Sequence, residues 1–155
     1  MGAHIAPMEV FMDDKTNNQI LDEVHKGLVM GMESISVITS KVGDRNFRDD
    51  LNYQYDEYGK VLDRINKKFE ETGKTPTDTT PAEKMMGWTS IQMSTISDKS
   101  NNKISEILIR GNTMGIIKGR ELLNQYPNAE QETKDILNEF IKLQEDNIEK
   151  LKTYL

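Results

Sequence analysis

The chain has 155 residues, with 20 Lys and Arg set against 26 Asp and Glu, for a formal net charge of −6. That length predicts one domain with a buried core, and an acidic balance without any basic run argues against nucleic-acid binding. The absence of cysteine excludes disulfides, thiolate-held metals and Cys nucleophiles, and no apolar run approaches the ~20 residues needed to cross a bilayer.

Residues 1–8 have neither the charged start nor the apolar centre of a signal peptide, so a cytoplasmic location is expected. Residues 1–15 read as a flexible N-terminal tail and 16–155 as a single helical bundle domain. The first long helix begins near Thr16, which forms a capping box with Gln19. Its apolar face is Ile20, Val24, Leu28, Gly31, Ile35, Ile38 and Val42 at three-four spacing. Gly43 is expected to end it in the left-handed conformation, with Asp44 as the next N-cap.

The second helix carries Phe47, Leu51, Tyr55, Tyr58, Leu62, Ile65 and Phe69 on one face and ends at Thr72–Gly73. A polar loop follows over 73–80. Thr80–Pro81–Ala82–Glu83 then gives a hydroxyl cap, a proline at the first helical position and a glutamate at the third. As one helix, 81–124 would run about 66 Å against roughly 40 Å for the first helix, leaving apolar residues without partners. The weak helix formers Ser97–Asp98–Lys99–Ser100–Asn101–Asn102 divide it into a short helix over 81–97 and a long one over 99–125, capped by Asp98. A kinked continuous helix is the alternative. The inner face of the long helix is Ile104, Ile107, Leu108, Gly111, Met114, Gly115 and Leu122, and Tyr126–Pro127 ends it. Asn128 with Gln131 starts the last helix, whose face is Ile136, Leu137, Phe140, Leu143, Asn147, Leu151 and Tyr154.

Five glycines interrupt these helices in two stripes of four-residue spacing: Gly27 and Gly31, then Gly111, Gly115 and Gly119. A glycine within a helix costs roughly 1 kcal/mol against alanine. Close approach of a neighbouring helix accounts for that cost, with Tyr55, Tyr58 or Trp88 lying over the gap. A ligand cleft floored by bare backbone is the sharper alternative. Buried phenols at Tyr55 and Tyr58 need hydrogen-bond partners, and Asn112, Thr113 and Asn147 are candidates.

Four amphipathic helices invite a test for a di-iron site, which needs about four inward carboxylates and two histidines. The histidines are His4 and His25, and Asp22–x–x–His25 is one approximate copy of the required pair. No metal or other cofactor is therefore expected. Nucleophilic catalysis lacks a histidine held by a carboxylate near a serine, so no catalytic residue is assigned and an enzyme is not expected. Methionines Met30, Met32, Met85, Met86, Met93 and Met114 read mainly as core fillers.

The run Met85–Met86–Gly87–Trp88 to Asp98–Lys99–Ser100, continuing to Ile107–Leu108–Ile109–Arg110–Gly111–Asn112–Thr113–Met114–Gly115–Ile116, resembles an uncharacterised bacterial ferritin-like four-helix-bundle family. The Asn52–x–x–Tyr55–x–x–Tyr58 spacing is compatible with it. The likeness covers about 16–155 and implies an all-α, ferritin-like four-helix bundle. In that bundle the short extra helix lies between the second and third long helices, on a connection that crosses the bundle lengthwise. The metal ligands of ferritin-like oxidases are not matched, so that activity is not implied. The leading expectation is a non-catalytic bundle acting through protein contacts, as a homo-oligomer or with a protein partner, supported by an apolar surplus on 81–97. The rivals are a degenerate metal or redox bundle using Asp22 and His25, and a small-ligand binder at the Gly111–Gly115–Gly119 stripe.

Overall fold

The computed structural model describes residues 14–77 and 88–155. Among these residues the chain is all-helical: α1 (Asp14–Thr39), α2 (Arg45–Thr72), α3 (Trp88–Ser94), α4 (Asn101–Gln125) and α5 (Gln131–Lys152). Most of the expected tail, the Thr80–Pro81 helix start, Met85, Met86 and the Trp88 side chain lie outside the described residues.

Local chemistry sets most of the helix ends. Asp44 adopts extended backbone and its Oδ1 accepts from the Phe47 amide at 3.0 Å, capping α2 as expected. Its other oxygen accepts from Asn101 Nδ2 at 3.0 Å, which ties the start of α2 to the start of α4. Gly73, at φ 71°, closes α2, with its N–H donating to the Glu70 carbonyl and Lys74 N–H to the Phe69 carbonyl. This pairing satisfies two orphan carbonyls at once.

Several expected ends are corrected. The first helix starts at Asp14, two residues ahead of Thr16, and stops at Thr39, so Gly43 follows an extra turn. Gly73 is the one described residue with a positive φ, so Gly43 is not a left-handed stop. The break over 95–100 separates α3 from α4, and α3 ends at Ser94 rather than at 97. Ser100 rather than Asp98 caps α4, its hydroxyl accepting from Lys103 N–H at 3.2 Å. Asp98 instead accepts from the Ser100 amide at 3.0 Å and shapes the approach to the cap. The last helix begins after Glu130, which caps without a side-chain bond, its amide instead donating to Asn17 Oδ1.

Paired contacts fix the helix directions. Asn18 meets Thr72 and Gly31 faces Tyr58, so α1 and α2 are antiparallel. Lys68 with Glu132, Arg64 with Glu139, and Tyr154 with Asp50 make α2 and α5 antiparallel. Gly119 against Ile141 and Asn112 against Asn147 do the same for α4 and α5. Helices α1 and α5 therefore run one way, α2 and α4 the other. The chain between α2 and α4 must return along the length of the helices. Its two ends are pinned accordingly: Thr77 N–H donates to Asp22 near the start of α1, and Lys41 Nζ donates to the Met93 carbonyl beyond its end. Helix α3, on that return, packs on both α1 and α4, which otherwise touch each other little.

The core is built from Leu21, Leu28, Ile38, Phe47, Leu51, Ile65, Phe69, Ile104, Ile136 and Leu137, all essentially closed to water. Tyr154 stacks on Phe47 with ring centroids 4.1 Å apart and donates to Asp50, fastening the end of the chain. Along α2 the buried seam is Phe47, Leu51, Gln54, Tyr58, Val61, Ile65 and Phe69. Tyr55 is 39% exposed and Leu62 only half-buried, against expectation. At 100° per residue Tyr55 lies about 80° around the helix from Phe47, and Gln54 only about 20°. Position thus outweighs side-chain polarity. Met114, expected inside α4, is 52% exposed, as is its neighbour Ile117 at 53%.

Candidate functional site

Because α3 holds α1 and α4 apart, a cavity of about 200 Å³ remains between them, with α2 and α5 behind it. Val24, Ile35, Leu108, Leu122 and Phe140 supply its apolar wall. Gly27 and Gly31 line it from α1, and Gly111 and Gly115 from α4. The two glycine stripes thus share one space. Gly119 does not line it; it is buried against Ile141.

Each glycine also makes room for a named neighbour. A Cβ at Gly31 would stand 3.0 Å from Tyr58 Cε1, and one at Gly115 3.1 Å from Gln144 Cδ. One at Gly111 would collide with the Thr89 hydroxyl, and one at Gly119 would come within 2.6 Å of Ile141 Cγ1. Gly27 is looser, with Phe140 Cζ at 3.4 Å. Tyr58 thus lies over the α1 stripe as expected, while Tyr55 stands outside it.

Bare backbone at Gly31 and Gly115 brings Tyr58 and Gln144 together at the back of the cavity. The Tyr58 hydroxyl lies 3.2 Å from Asn112 Oδ1 and 3.1 Å from Gln144 Oε1. Asn112 Nδ2 donates to the Leu108 carbonyl at 2.7 Å, and Asn147 Nδ2 reaches Asn112 Oδ1 at 3.4 Å. Of the partners expected for Tyr58, Asn112 lies within hydrogen-bond distance of the hydroxyl, and the Asn147 amide beside it acts on the phenol as well. Thr113 instead donates to the Ile109 carbonyl on the exposed side. Burial pushes the Tyr58 phenol up to about 12, against a partial opposing effect of the Gln144 and Asn147 amides. It is therefore a neutral hydrogen-bonding group at physiological pH.

Gln54 is the residue that the sequence reading passed over. It is 3% exposed, lines the cavity one helical turn before Tyr58, and its Nε2 has no hydrogen-bond partner. Asn66, Ser105 and Thr133 also hold unpartnered buried atoms, but none of them lines this space. The available signal was spacing alone: Gln54 and Gln144 occupy seam positions among apolar neighbours. The charged lining residues are Glu23 and Lys118, half-exposed and paired across α1 and α4 at 3.6 Å.

Asp22 and His25 are both buried, but they face other tasks. Asp22 accepts from Thr77 N–H at 2.9 Å, and the His25 ring sits 6.1 Å from that of Phe69. Among the described residues no three His, Asp or Glu converge as metal ligands would. No described helix is long and apolar enough to cross a membrane. The expected apolar surplus on 81–97 is not carried by Met93, which is fully buried. Comparison with protein-family models, with curated proteins and with solved structures finds no match to this chain.

Proposed function

We propose that the chain is a ligand-binding helical protein that takes up a small uncharged organic molecule between α1 and α4, acting by binding rather than by catalysis. The observation that carries this reading is the mainly apolar cavity of about 200 Å³ between α1 and α4, with the buried amide side chains of Gln54 and Gln144 in its lining. An apolar pocket with a few convergent polar groups is the usual form of a small-molecule site. The helix directions and the lengthwise return between α2 and α4 support a ferritin-like assignment for the fold. The buried polar side chains Gln54, Asn112, Gln144 and Asn147 are neutral amides rather than the carboxylates a di-iron bundle needs, which favours binding over metal chemistry. A cytoplasmic setting fits the absence of cysteine.

The test is saturation-transfer NMR with isopropylbenzene and benzamide on the wild type and on Leu108→Phe. Leu108 is buried and lines the cavity, so the larger ring fills it. Signal from at least one probe on the wild type, lost in a cooperatively folding Leu108→Phe, is the expected result. Silence on the wild type, or equal signal on the variant, overturns the proposal.

A second reading, self-association or a protein partner, draws on a different observation. Met114 and Ile117 lie one turn apart on α4 and are each more than half exposed. A patch of this kind favours contact with another protein surface. Light scattering that finds only monomer at high micromolar concentration, for the wild type and for Ile117→Lys alike, removes the homo-oligomer.

A further inference from the structure

We infer that two copies of this chain pair through α4, antiparallel about a two-fold axis between Met114 and Ile117; this rests on the self-association reading above and gives it a register. Arg110, Met114, Ile117 and Glu121 are all exposed and follow one another at spacings of four, three and four residues. At 100° per residue they fall within about 60° of arc, on a seam about 16 Å long. This is the a/d period by which helices pair side by side. The buried face of α4, with Ile104, Leu108, Gly119 and Leu122, lies on the far side. Among the described residues, Thr89 of α3 meets α4 at Gly111, and α5 meets it at Gly115 and Gly119, so neither covers the seam.

The order of charges along the seam selects a second copy as the occupant. From Arg110 to Glu121 it reads cation, apolar, apolar, anion, so the order inverts when the helix is turned end for end. A two-fold axis midway along the seam sets Met114 against Ile117 of the second copy, and Ile117 against its Met114. Arg110 then faces Glu121 of the second copy, and the symmetry makes that pair twice. A parallel pairing would instead set Arg110 on Arg110 and Glu121 on Glu121. Further out, the same axis opposes Glu106 with Gln125 and Thr113 with Lys118, neither of them a like-charge pair. The apolar layers supply the burial, and the opposed charges fix the register.

Little stands in the way of these pairs. Glu121 is exposed and has no ion-pair partner among the described residues. Arg110 donates to Glu106 within its own helix at 3.2 Å, but Lys103 also reaches Glu106 at 3.8 Å. Glu106 therefore keeps a cation when Arg110 turns outward. Met114 also lines the cavity between α1 and α4, so the pairing places Ile117 of the second copy at that cavity's edge. Two apolar layers make a small interface, and weak association at high micromolar concentration is expected.

The experiment is sedimentation velocity on the full chain at rising concentration, for the wild type, Arg110→Glu, Glu121→Arg and an equimolar mixture of the two variants. The wild type is expected to dimerise, and each variant alone to do so about tenfold more weakly, because both opposed pairs become like-charge pairs. The mixture is expected to regain wild-type association, because one chain then carries anions at both ends of the seam and the other carries cations. The two substitutions move the net charge in opposite directions, so a loss in both cannot come from overall repulsion. Both positions are exposed, and cooperative thermal melts verify that the variants fold. A wild type that dimerises while either variant alone does so equally well overturns the α4 seam and leaves self-association standing. Loss in both variants without rescue in the mixture overturns the antiparallel register. A wild type that stays monomeric throughout overturns self-association itself.

Discussion

Replacing the helical glycines one at a time by alanine separates close packing from mere helix weakness, because the gain is common to all and the penalty is not. Each substitution gains about 1 kcal/mol in helix propensity. At Gly27 the new methyl meets Phe140 Cζ at 3.4 Å, an ordinary contact, so the gain survives. Stabilisation of about 0.5–1 kcal/mol is expected there, raising Tm by roughly 1–4 °C for a chain of this size. At Gly31 the methyl would sit 3.0 and 3.1 Å from the Tyr58 ring, which is buried and tethered through its hydroxyl to Asn112. Overpacking of this kind costs about 1–3 kcal/mol, so the net effect is a loss of about 1 kcal/mol. At Gly119 the contact is 2.6 Å from Ile141 Cγ1, close to the root of a buried side chain that has little freedom to withdraw. A net loss of about 2 kcal/mol follows, or roughly 4–8 °C. The assay is thermal and urea denaturation followed by circular dichroism, with equal m-values required across the series. Gly31→Ala or Gly119→Ala melting as high as Gly27→Ala would refute the claim that bare backbone lets Tyr58 and Ile141 approach.

Tyr58→Phe removes the hydroxyl shared by Asn112 and Gln144, leaving both amides buried with one partner fewer, and should lower stability by about 1–3 kcal/mol in urea titrations. Asp44 is held below the usual carboxylate range, first by the Phe47 amide and next by Asn101. A lowered folded pKa means that the stabilisation is complete above the unfolded value of 3.8 and is lost as pH falls through the folded value. Asparagine caps helices equally well, so Asp44→Asn should show a smaller drop in Tm than the wild type between pH 5 and acid conditions. A parallel acid limb in the two proteins would remove Asp44 from that role.

Much of the fold was legible because it is written in local chemistry. The Asp44 cap, the Gly73 stop, the stop at Tyr126 and the break between α3 and α4 all depend on residues within a turn or two of each other. The errors came where two local signals competed. Ser100 displaced Asp98 as a cap, and Tyr55 was placed inward because its ring is apolar, although its angle around α2 points it outward.

Sequence by itself determined the helices, their apolar faces and the presence of two glycine stripes that need a reason. Only the tertiary structure decided that these stripes meet across one cavity and that Gln54 and Gln144 close its wall. The physical cause is distance along the chain. Helical period and capping act over a few residues, whereas the gap between α1 and α4 depends on where the return segment wedges α3. No local pattern records that separation, so neither the cavity nor the buried amide facing it is visible until the helices are packed.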